Sequence, residues 1–557
     1  MIYYTGIFVH CTLYSIDITK RLIYLRAMSS LLQPPLHTET TNYHAEKITM
    51  KQKTMSQLTT KIMSTDVLFQ LAALKSLRKM LAIPKDLPPI QQVIDSDILL
   101  PRVIALLQNT EHPTMQFEAA WILTNIVSGT SDQVNTVIDL HQGRVIPILV
   151  QLLSSSPQED VKEQVLWALG NISGDSPKTR NLVLAANVLE PLLQYMQQEE
   201  QEVQKEEQQQ QHRHQQQPPP PAAPPNSSLS HLRTASWVLS NLCRGNPSPS
   251  FDLLRPALPI LKEHLSHWDE EVLSDACWSI SYLSADGGSN TCNMAKIDAI
   301  IKSGITMRLV ELLVLTHPSS AVQTSTLRAI GNIVTASNDV QTRAVVHCSC
   351  CSMMLLPWLL SIIVPSSIAV VEKHILKEVC WIISNIAAGD ATLIQDVMEA
   401  QLIPPLVGLL TNAAVSFDIK KECGWAIANC TKGSSREQIE YLVICGCIPA
   451  LCDLLYTAED NTMVIVALEG LTNILKAGEL SAVVAVESSD HVAKNAYMYV
   501  EEVTNAGGVD IIIALKEHDD GVVNEMALQL SEQYFGSGRD EGGSDDEVLQ
   551  SLCSITL

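Results

Sequence analysis

The stretch Trp167-Ala-Leu-Gly-Asn171 decides the fold, because the same phrase returns along the chain. In each copy an aromatic side chain precedes an asparagine, or once a tyrosine, by four residues, which puts both on one face of an α-helix. The copies hold six of the eight tryptophans. They are Trp121-Ile-Leu-Thr-Asn125, Trp167-Ala-Leu-Gly-Asn171, Trp237-Val-Leu-Ser-Asn241, Trp278-Ser-Ile-Ser-Tyr282, Trp381-Ile-Ile-Ser-Asn385 and Trp425-Ala-Ile-Ala-Asn429.

The copies recur at an almost constant interval. Three neighbouring pairs of these tryptophans lie 46, 41 and 44 residues apart. The 70 residues between Trp167 and Trp237 include a 28-residue Gln/Pro tract at 199–226, without which the interval is 42. The 103 residues between Trp278 and Trp381 have room for two units, and a variant phrase, Arg328-Ala-Ile-Gly-Asn332, lies near their middle. A period of about 20 to 50 residues is typical of stacked repeats.

A repeat of about 40 to 47 residues that consists of helices alone indicates the armadillo or HEAT class. Apolar segments at 145–153, 402–410 and 448–455 favour helices between the phrases, and no convincing period-two strand pattern competes. Stacked repeats share one continuous core. The sequence therefore predicts an all-α solenoid that spreads its 46% apolar content along the array.

Composition indicates the class of partner. The formal net charge is −23, and acids lie close to the phrases at Glu118, Asp175, Glu378 and Glu422. An acidic groove attracts basic partners and repels nucleic acid. The 14 cysteines form no regular disulfide framework, which indicates a reduced, intracellular chain.

Other site classes find little support in the sequence. The apolar stretch Met1 to Ile18 is interrupted by His10, Thr12 and Asp17, so we predict neither a signal peptide nor a membrane span. The cluster His347-Cys348-Ser-Cys350-Cys351 fits no zinc-binding spacing, and we predict no metal or cofactor. Gly-rich phosphate loops and nucleophile elbows are absent from the sequence, so we predict no enzymatic activity.

The phrase itself suggests peptide binding. Parallel indole rings can hold the methylene stems of Lys or Arg, and cation–π attraction adds roughly 0.5 to 2 kcal/mol each. Asparagine amides can donate to and accept from the backbone of an extended peptide, while acids pair with the cationic tips. A helical tryptophan usually packs in a core, but a repeatedly buried, unpaired amide costs about 1 to 3 kcal/mol each time. The predicted ligand is a short, extended, basic peptide.

From about Leu71 to Gly536 the chain resembles importin-α, the adaptor that recognises nuclear localisation signals. The resemblance is carried by Gln116-Phe-Glu-Ala-Ala-Trp-Ile-Leu-Thr-Asn-Ile-Val-Ser-Gly-Thr130, Trp167-Ala-Leu-Gly-Asn-Ile-Ser-Gly-Asp175, Leu239-Ser-Asn-Leu-Cys-Arg244, Leu327-Arg-Ala-Ile-Gly-Asn-Ile-Val334 and Glu532-Gln-Tyr-Phe-Gly536. It implies a right-handed armadillo-repeat superhelix of about ten repeats. It also implies a protein that carries cargo into the nucleus and shuttles between cytoplasm and nucleus.

The resemblance implies two sites for signal peptides. The candidate major site, in the second to fourth repeats, comprises Trp121, Asn125, Gly129, Trp167, Asn171, Asp175, Trp237 and Asn241. The candidate minor site, in the sixth to eighth repeats, comprises Arg328, Asn332, Glu378, Trp381, Asn385, Glu422, Trp425 and Asn429. Asp175 is implied to pair with the key lysine of the signal. A bipartite signal that occupies both sites would gain affinity through effective concentration.

Two departures from the family concern the major site. Val134 stands where the family usually has a threonine that helps to hold the key lysine, so one hydroxyl is missing. The tract at 199–226 interrupts the chain before the fourth repeat with polyglutamine and Pro218 to Pro221. Its composition predicts a disordered surface loop that leaves the major site intact.

The ends of the chain form a third departure. Repeats are expected over 66–535, after an irregular N-terminal region at 1–65 in which the family's arginine-rich helix for importin-β is not recognisable. Either that segment is absent or diverged, or the start of the sequence is mispredicted. Residues 536–557 are expected to form an acidic, flexible tail. In the family, this end and the last repeat contact the nuclear export receptor.

An alternative is an armadillo scaffold of another class, such as a catenin-like protein or a vacuolar tether, that binds non-signal peptides. Those grooves use Lys and Arg to bind acidic ligands, which the acidic pattern here does not favour. Peptide binding would decide between the two.

Overall fold

The computed structural model describes residues 55–82, 88–214, 227–285, 290–315, 318–335, 339–347, 355–368, 370–485 and 493–536. All regular secondary structure within these ranges is helical, which confirms the predicted all-α class. The chain divides into two compact units, Met1–Ile260 and Leu261–Leu557.

The first unit opens with a helix over residues 55–62. The helices that follow are α1 (Val67–Leu81), α2 (Ile90–Ile94), α3 (Leu99–Leu107), α4 (Pro113–Ile126), α5 (Ser131–Asp139), α6 (Val145–Ser155), α7 (Glu159–Asp175), α8 (Pro177–Ala185), α9 (Leu189–His214), α10 (Ser227–Cys243) and α11 (Phe251–Leu254). Short 3-10 turns lie at Leu140–Gly143 and Arg255–Ala257, and α12 (Leu258–His264) spans the division.

The second unit continues the same pattern of short and long helices. Its helices are α13 (Glu270–Ser284), α14 (Asn290–Lys302), α15 (Ile305–Leu315), α16 (Ser320–Thr335), α17 (Asp339–Val346), α18 (Leu355–Ile363), α19 (Pro365–Ile368), α20 (Lys373–Ala387), α21 (Ala391–Glu399), α22 (Ile403–Thr411), α23 (Phe417–Thr431), α24 (Arg436–Ile444), α25 (Cys447–Thr457), α26 (Asn461–Ala485), α27 (Ala493–Asn505), α28 (Gly508–Leu515) and α29 (Gly521–Tyr534).

Local sequence signals start many of these helices. Thr130 caps α5 and exchanges bonds with Gln133 in a capping box, and Ser435 and Gln438 do the same at α24. Such caps satisfy backbone N–H groups that have no partner in the first turn. Aspartates at the N-cap, such as Asp269 of α13, satisfy them in the same way.

The helices that carry the phrase form a continuous row in each unit. In the first unit α1, α4, α7 and α10 pack one against the next, and in the second α13, α16, α20, α23, α26 and α29 do so. Apolar helices pack against several of them, as α6 does against α7 and α22 does against α23. We call the helices of these rows the third helices, because each closes a three-helix repeat. The period left the armadillo and HEAT classes open, and the three-helix repeat is the armadillo arrangement.

The structure also tests individual segments. The apolar stretches at 145–153, 402–410 and 448–455 belong to α6, α22 and α25, as predicted. The expectation of a disordered loop over all of 199–226 is wrong, because α9 continues to His214. Glu and Gln are good helix formers, and Val203 is buried along this extension. Residues 215–226, like the N-terminal segment at 1–54 and the tail beyond 536, lie outside the described ranges.

No single helix of the described residues is long and apolar enough to cross a bilayer. Two bent pairs reach that length and composition only together, Ala391–Glu399 with Ile403–Thr411 and Arg436–Ile444 with Cys447–Thr457. Their helices meet at 79° and 68°.

Candidate functional site

Every phrase tryptophan lies on a third helix and is partly exposed. The residues that follow each one, such as Ile122 and Leu123 after Trp121, are buried. The third helices therefore put their aliphatic side chains into the core and leave an indole face at the surface, instead of burying the tryptophan as a helix usually does.

Two tryptophans of the candidate major site form one aromatic wall. The ring centroids of Trp167 and Trp237 lie 5.2 Å apart, with their planes tilted by 45°. Trp237 packs on the backbone of α7 at Gly170, where a Cβ would overlap the indole ring. The second unit repeats this contact, since a Cβ at Gly331 would overlap the ring of Trp381. The glycine inside two of the phrases is thus the seat of the next tryptophan.

The asparagines join consecutive repeats. Four of them donate from Nδ2 to the carbonyl oxygen of the fourth phrase residue on the preceding third helix. The pairs are Asn171 to Thr124 (3.3 Å), Asn241 to Gly170 (3.1 Å), Asn332 to Ser281 (2.8 Å) and Asn429 to Ser384 (3.0 Å). An amide has two N–H donors and a carbonyl, so one bond leaves further hydrogen-bonding capacity. These amides therefore join neighbouring repeats in addition to the peptide-binding role expected for them.

Two other phrase asparagines differ. Within the described ranges, the Nδ2 atoms of Asn125 and Asn385 are buried and have no hydrogen-bond partner. An unpaired buried donor costs about 1 to 3 kcal/mol. One amide of this kind stands in each candidate site.

An arginine that the sequence analysis missed opens the candidate major site. The guanidinium of Arg78, on α1, lies 4.0 Å from the ring centroid of Trp121. Its Nε donates to Oε2 of the buried Glu118 at 2.6 Å. The edge of Phe117 also meets the Trp121 ring, at 5.5 Å between centroids. Glu118 was expected to attract a ligand, but it is neutralised within the protein, and Arg78 covers one face of Trp121.

The candidate minor site opens in the same way. The guanidinium of Arg328 lies 5.0 Å from the ring centroid of Trp381 and forms an ion pair with Glu378. The second oxygen of Glu378, Oε2, is buried without a hydrogen-bond partner in the part of the chain that is described. Arg78 precedes Trp121 by 43 residues, one repeat period, so it occupies a tryptophan position of the phrase as Arg328 does. That register was the signal that could have found it.

Asp175 is the acid of the candidate major site, and one of its carboxylate oxygens accepts no hydrogen bond from the described residues. Its Oδ1 accepts a hydrogen bond from Ser131 Oγ at 2.7 Å, while Oδ2 is buried and unpartnered among the described residues. Val134, which lacks the hydroxyl of the family's usual threonine, is buried in α5 with 1% exposure. The hydroxyl beside Asp175 comes instead from Ser131, one turn earlier on the same helix. Gly129 has a structural reason, since a Cβ there would overlap the Gln133 amide of the capping box.

The acids of the candidate minor site are held differently. Burial raises the pKa of Glu422 to about 7, and the nearby Glu378 adds to the rise, whereas Lys377, Arg328 and Lys421 oppose it. Burial also raises the pKa of Glu378, against the attraction of Arg328 and Lys377. The carboxylates here are therefore less readily ionised than ordinary surface acids.

The structure brings the sequence-predicted residues together within each unit. Contacts link α4, α7 and α10, which carry most of the major-site residues, and α16, α20 and α23, which carry the minor-site residues. In the fifth repeat, which lies outside both sets, Trp278 and Tyr282 stack with centroids 5.7 Å apart. Of the cysteine-rich cluster, His347 faces Asp396 at 2.7 Å between Nε2 and Oδ2, and residues 348–354 are outside the described ranges.

Comparison with known proteins agrees with this architecture. The armadillo/beta-catenin-like repeat family matches residues 87–128, 144–174, 251–285, 391–432 and 435–476. A solved engineered protein superposes with a TM-score of 0.66 over 86% of this chain and 98% of its own, at 23% sequence identity, which supports the fold alone.

Two plant proteins are similar over most of their length. Importin subunit alpha-1b of Oryza sativa subsp. japonica is 42% identical over 508 residues, covering 91% of this chain and 84% of that protein. Importin subunit alpha-4 of Arabidopsis thaliana is 41% identical over 490 residues, covering 87% and 80%. With its armadillo repeats and this level of identity, the chain belongs to the importin-α family.

Proposed function

We propose that this chain is a nuclear import adaptor that binds basic nuclear localisation signals of cargo proteins along its third helices. The main support for the proposal is that Oδ2 of Asp175 is buried and has no hydrogen-bond partner among the described residues. Trp167 precedes it on α7, and Trp237 stands beside Trp167. The names of the relatives, importin alpha subunits, support the same function.

The chemistry of the candidate major site suits a lysine. An ammonium at Asp175 Oδ2 would satisfy that oxygen with a charge-assisted hydrogen bond, which contributes about 1.5 to 3 kcal/mol. The methylene stem of the lysine would lie along the wall of Trp167 and Trp237. Arg78 and Arg328 already place a guanidinium over Trp121 and Trp381. A basic peptide would repeat this contact at the other tryptophans.

The proposal extends to the partners that the family implies. Importin-β would connect the adaptor to transport, and a nuclear export receptor would bind the C-terminal repeat, formed by α27, α28 and α29. The adaptor would shuttle between cytoplasm and nucleus. Its function requires no catalytic step, no cofactor, no nucleic acid and no membrane.

Calorimetry of the full chain with a monopartite basic peptide tests the proposal. Trp167→Ala combined with Asp175→Ala removes the wall and the acceptor, so we expect at least about a hundredfold loss of affinity, or roughly 2.7 kcal/mol. Trp268→Ala is the matched control, because Trp268 is 61% exposed and belongs to neither candidate site. Unchanged affinity of the double variant would contradict the major site. Preference for an acidic peptide would support the alternative, a catenin-like scaffold or vacuolar tether.

A further inference from the structure

A cluster of acids and one imidazole lies on α7, α9 and α10, and it includes no residue of the candidate sites. Glu159 and Glu163 share one face of α7, as Tyr195 and Glu199 share one face of α9. His231 completes the cluster from α10. One ligand atom each of Glu159, Glu199 and His231 lies within 4.8 Å of the other two.

The spacing of these atoms suits a small cation. Zinc bonds of about 2.0 to 2.2 Å in a tetrahedron place neighbouring ligand atoms about 3.3 to 3.6 Å apart. His231 Nδ1 and Glu199 Oε2 are 3.5 Å apart. The other ring nitrogen, Nε2, faces Oε2 of Glu163 at 3.7 Å. Metal-binding histidines commonly have this arrangement, in which one nitrogen binds the ion and a carboxylate beside the other orients the ring.

Burial and charge also favour a cation. Glu199 is 6% exposed and His231 is 7% exposed, so both are largely withdrawn from water. Glu159 is the exposed member of the three, and its Oε1 accepts a hydrogen bond from Lys162 Nζ at 2.9 Å. The Tyr195 hydroxyl, at 3% residue exposure, is buried on the same face of α9 and interacts with the Glu199 carboxylate. Buried carboxylates are commonly paired or bound to a metal.

We propose that Glu159, Glu199 and His231 bind a divalent transition-metal ion of the zinc class, with Glu163 as the residue that orients His231. One imidazole with carboxylates is a donor set that suits zinc and its spectroscopic substitute cobalt. Glu199 and His231 stand on the two helices that flank residues 215–226, so the ion would join α9 to α10 directly. These ligands are far apart in the chain and form no short motif, so they could not be recognised from the sequence.

Metal titration of the reduced, metal-stripped full chain tests the site. Zinc binding is measured by calorimetry, and cobalt binding by the visible absorption of a tetrahedral Co²⁺ complex. We expect the wild-type protein to bind one more ion than either His231→Gln or Glu199→Gln. Glu163→Gln keeps the ion but binds it about 10- to 100-fold more weakly, since a residue that orients a ligand has that effect.

The control is His374→Gln, which removes a partly exposed histidine that faces Glu372 at 3.4 Å. This variant keeps the wild-type stoichiometry. Glu199→Gln preserves the shape of the side chain, so it answers the question if His231→Gln does not fold. Equal stoichiometry in the wild-type protein and both ligand variants would overturn the proposal and leave His231 as a proton-mediated bridge between two acids.

Discussion

The two candidate sites share one plan and differ in how they hold their acids. Each opens with an arginine that covers a tryptophan and neutralises the glutamate three residues before it, Arg78 with Glu118 and Arg328 with Glu378. The major site then has Asp175, which is oriented by Ser131 and has an open oxygen. The minor site has Glu422, whose pKa is raised to about 7.

The comparison shows that the repeat supplies the aromatic wall in both sites, whereas local burial determines how far the acids of each site are ionised. With a pKa raised to about 7, Glu422 is more protonated near neutral pH than an ordinary glutamate, so the minor site attracts cations less strongly there. Of the acids near the phrases, Glu118 and Glu378 are already paired inside the protein. The net acidity of the chain therefore overstates the charge that faces a ligand.

The largest expected effect comes from removing the arginine–glutamate ion pair that the two sites share. Arg78→Ala or Arg328→Ala leaves Glu118 or Glu378, with side chains 4% and 5% exposed, without its guanidinium. Removing one partner of a buried pair is strongly destabilising, and we expect a loss of about 3 kcal/mol in the free energy of unfolding. Denaturant titration measures it. The double variant Arg78→Ala with Glu118→Gln should recover much of the loss, and a cost below about 0.5 kcal/mol for the single variants would contradict the shared plan.

A smaller effect should separate the sites. Gly170→Ala forces a Cβ into the ring of Trp237, and Gly331→Ala does so at Trp381. Overpacking costs about 1 to 3 kcal/mol, and each variant should lose peptide binding only in its own unit. The control is Gly408→Ala on α22, where a Cβ meets nothing within 4 Å. Thermal unfolding and calorimetry check both parts, and equal behaviour of Gly170→Ala and Gly408→Ala would disprove the seating of Trp237.

The pH dependence sharpens the comparison further. Because the pKa of Glu422 is about 7, its carboxylate forms as the pH rises, and the affinity of the minor site for a basic peptide should rise with it. We expect up to about tenfold between roughly pH 6 and pH 8. The measurement is calorimetry in an Asp175→Ala background, where the minor site is observed alone. Glu422→Gln should flatten the profile, and a persistent rise in that variant would assign the effect to another group.

The smallest effect concerns Ser131. Ser131→Ala removes the hydrogen bond that orients Asp175, so the affinity for a monopartite peptide should fall about two- to fivefold, or roughly 0.5 to 1 kcal/mol. Val134→Thr should not strengthen binding, because that side chain is only 1% exposed. A clear gain in peptide affinity in the Val134→Thr variant would show that a hydroxyl at position 134 contributes to binding.

The repeat, the helix class and the surface position of the tryptophans could be predicted from the sequence, because a phrase with period near 43 residues leaves few alternatives. Arg78 could have been found by extending that register one step towards the N-terminus. The extension of α9 to His214 was missed because composition was weighed above the helix propensity of Glu and Gln.

The other missed features depend on contacts between repeats. The bond from Ser131 to Asp175 joins residues 44 apart, and the asparagine bonds reach carbonyl oxygens that any residue carries. Because every residue has a backbone carbonyl, the type of the accepting residue does not reveal such a bond in the sequence. The raised pKa of Glu422 depends on burial and on four charged neighbours from other positions, which spacing along one helix does not reveal.

The seat of each tryptophan has a consequence for how such arrays can be altered. Gly170 accommodates Trp237, and the carbonyl of Gly170 accepts the bond from Asn241, so these residues function as one joint although they come from two repeats. A recombined array in which one repeat is exchanged whole would separate the small residue from the indole that needs it. The module that can be transplanted runs from the middle of one third helix to the middle of the next.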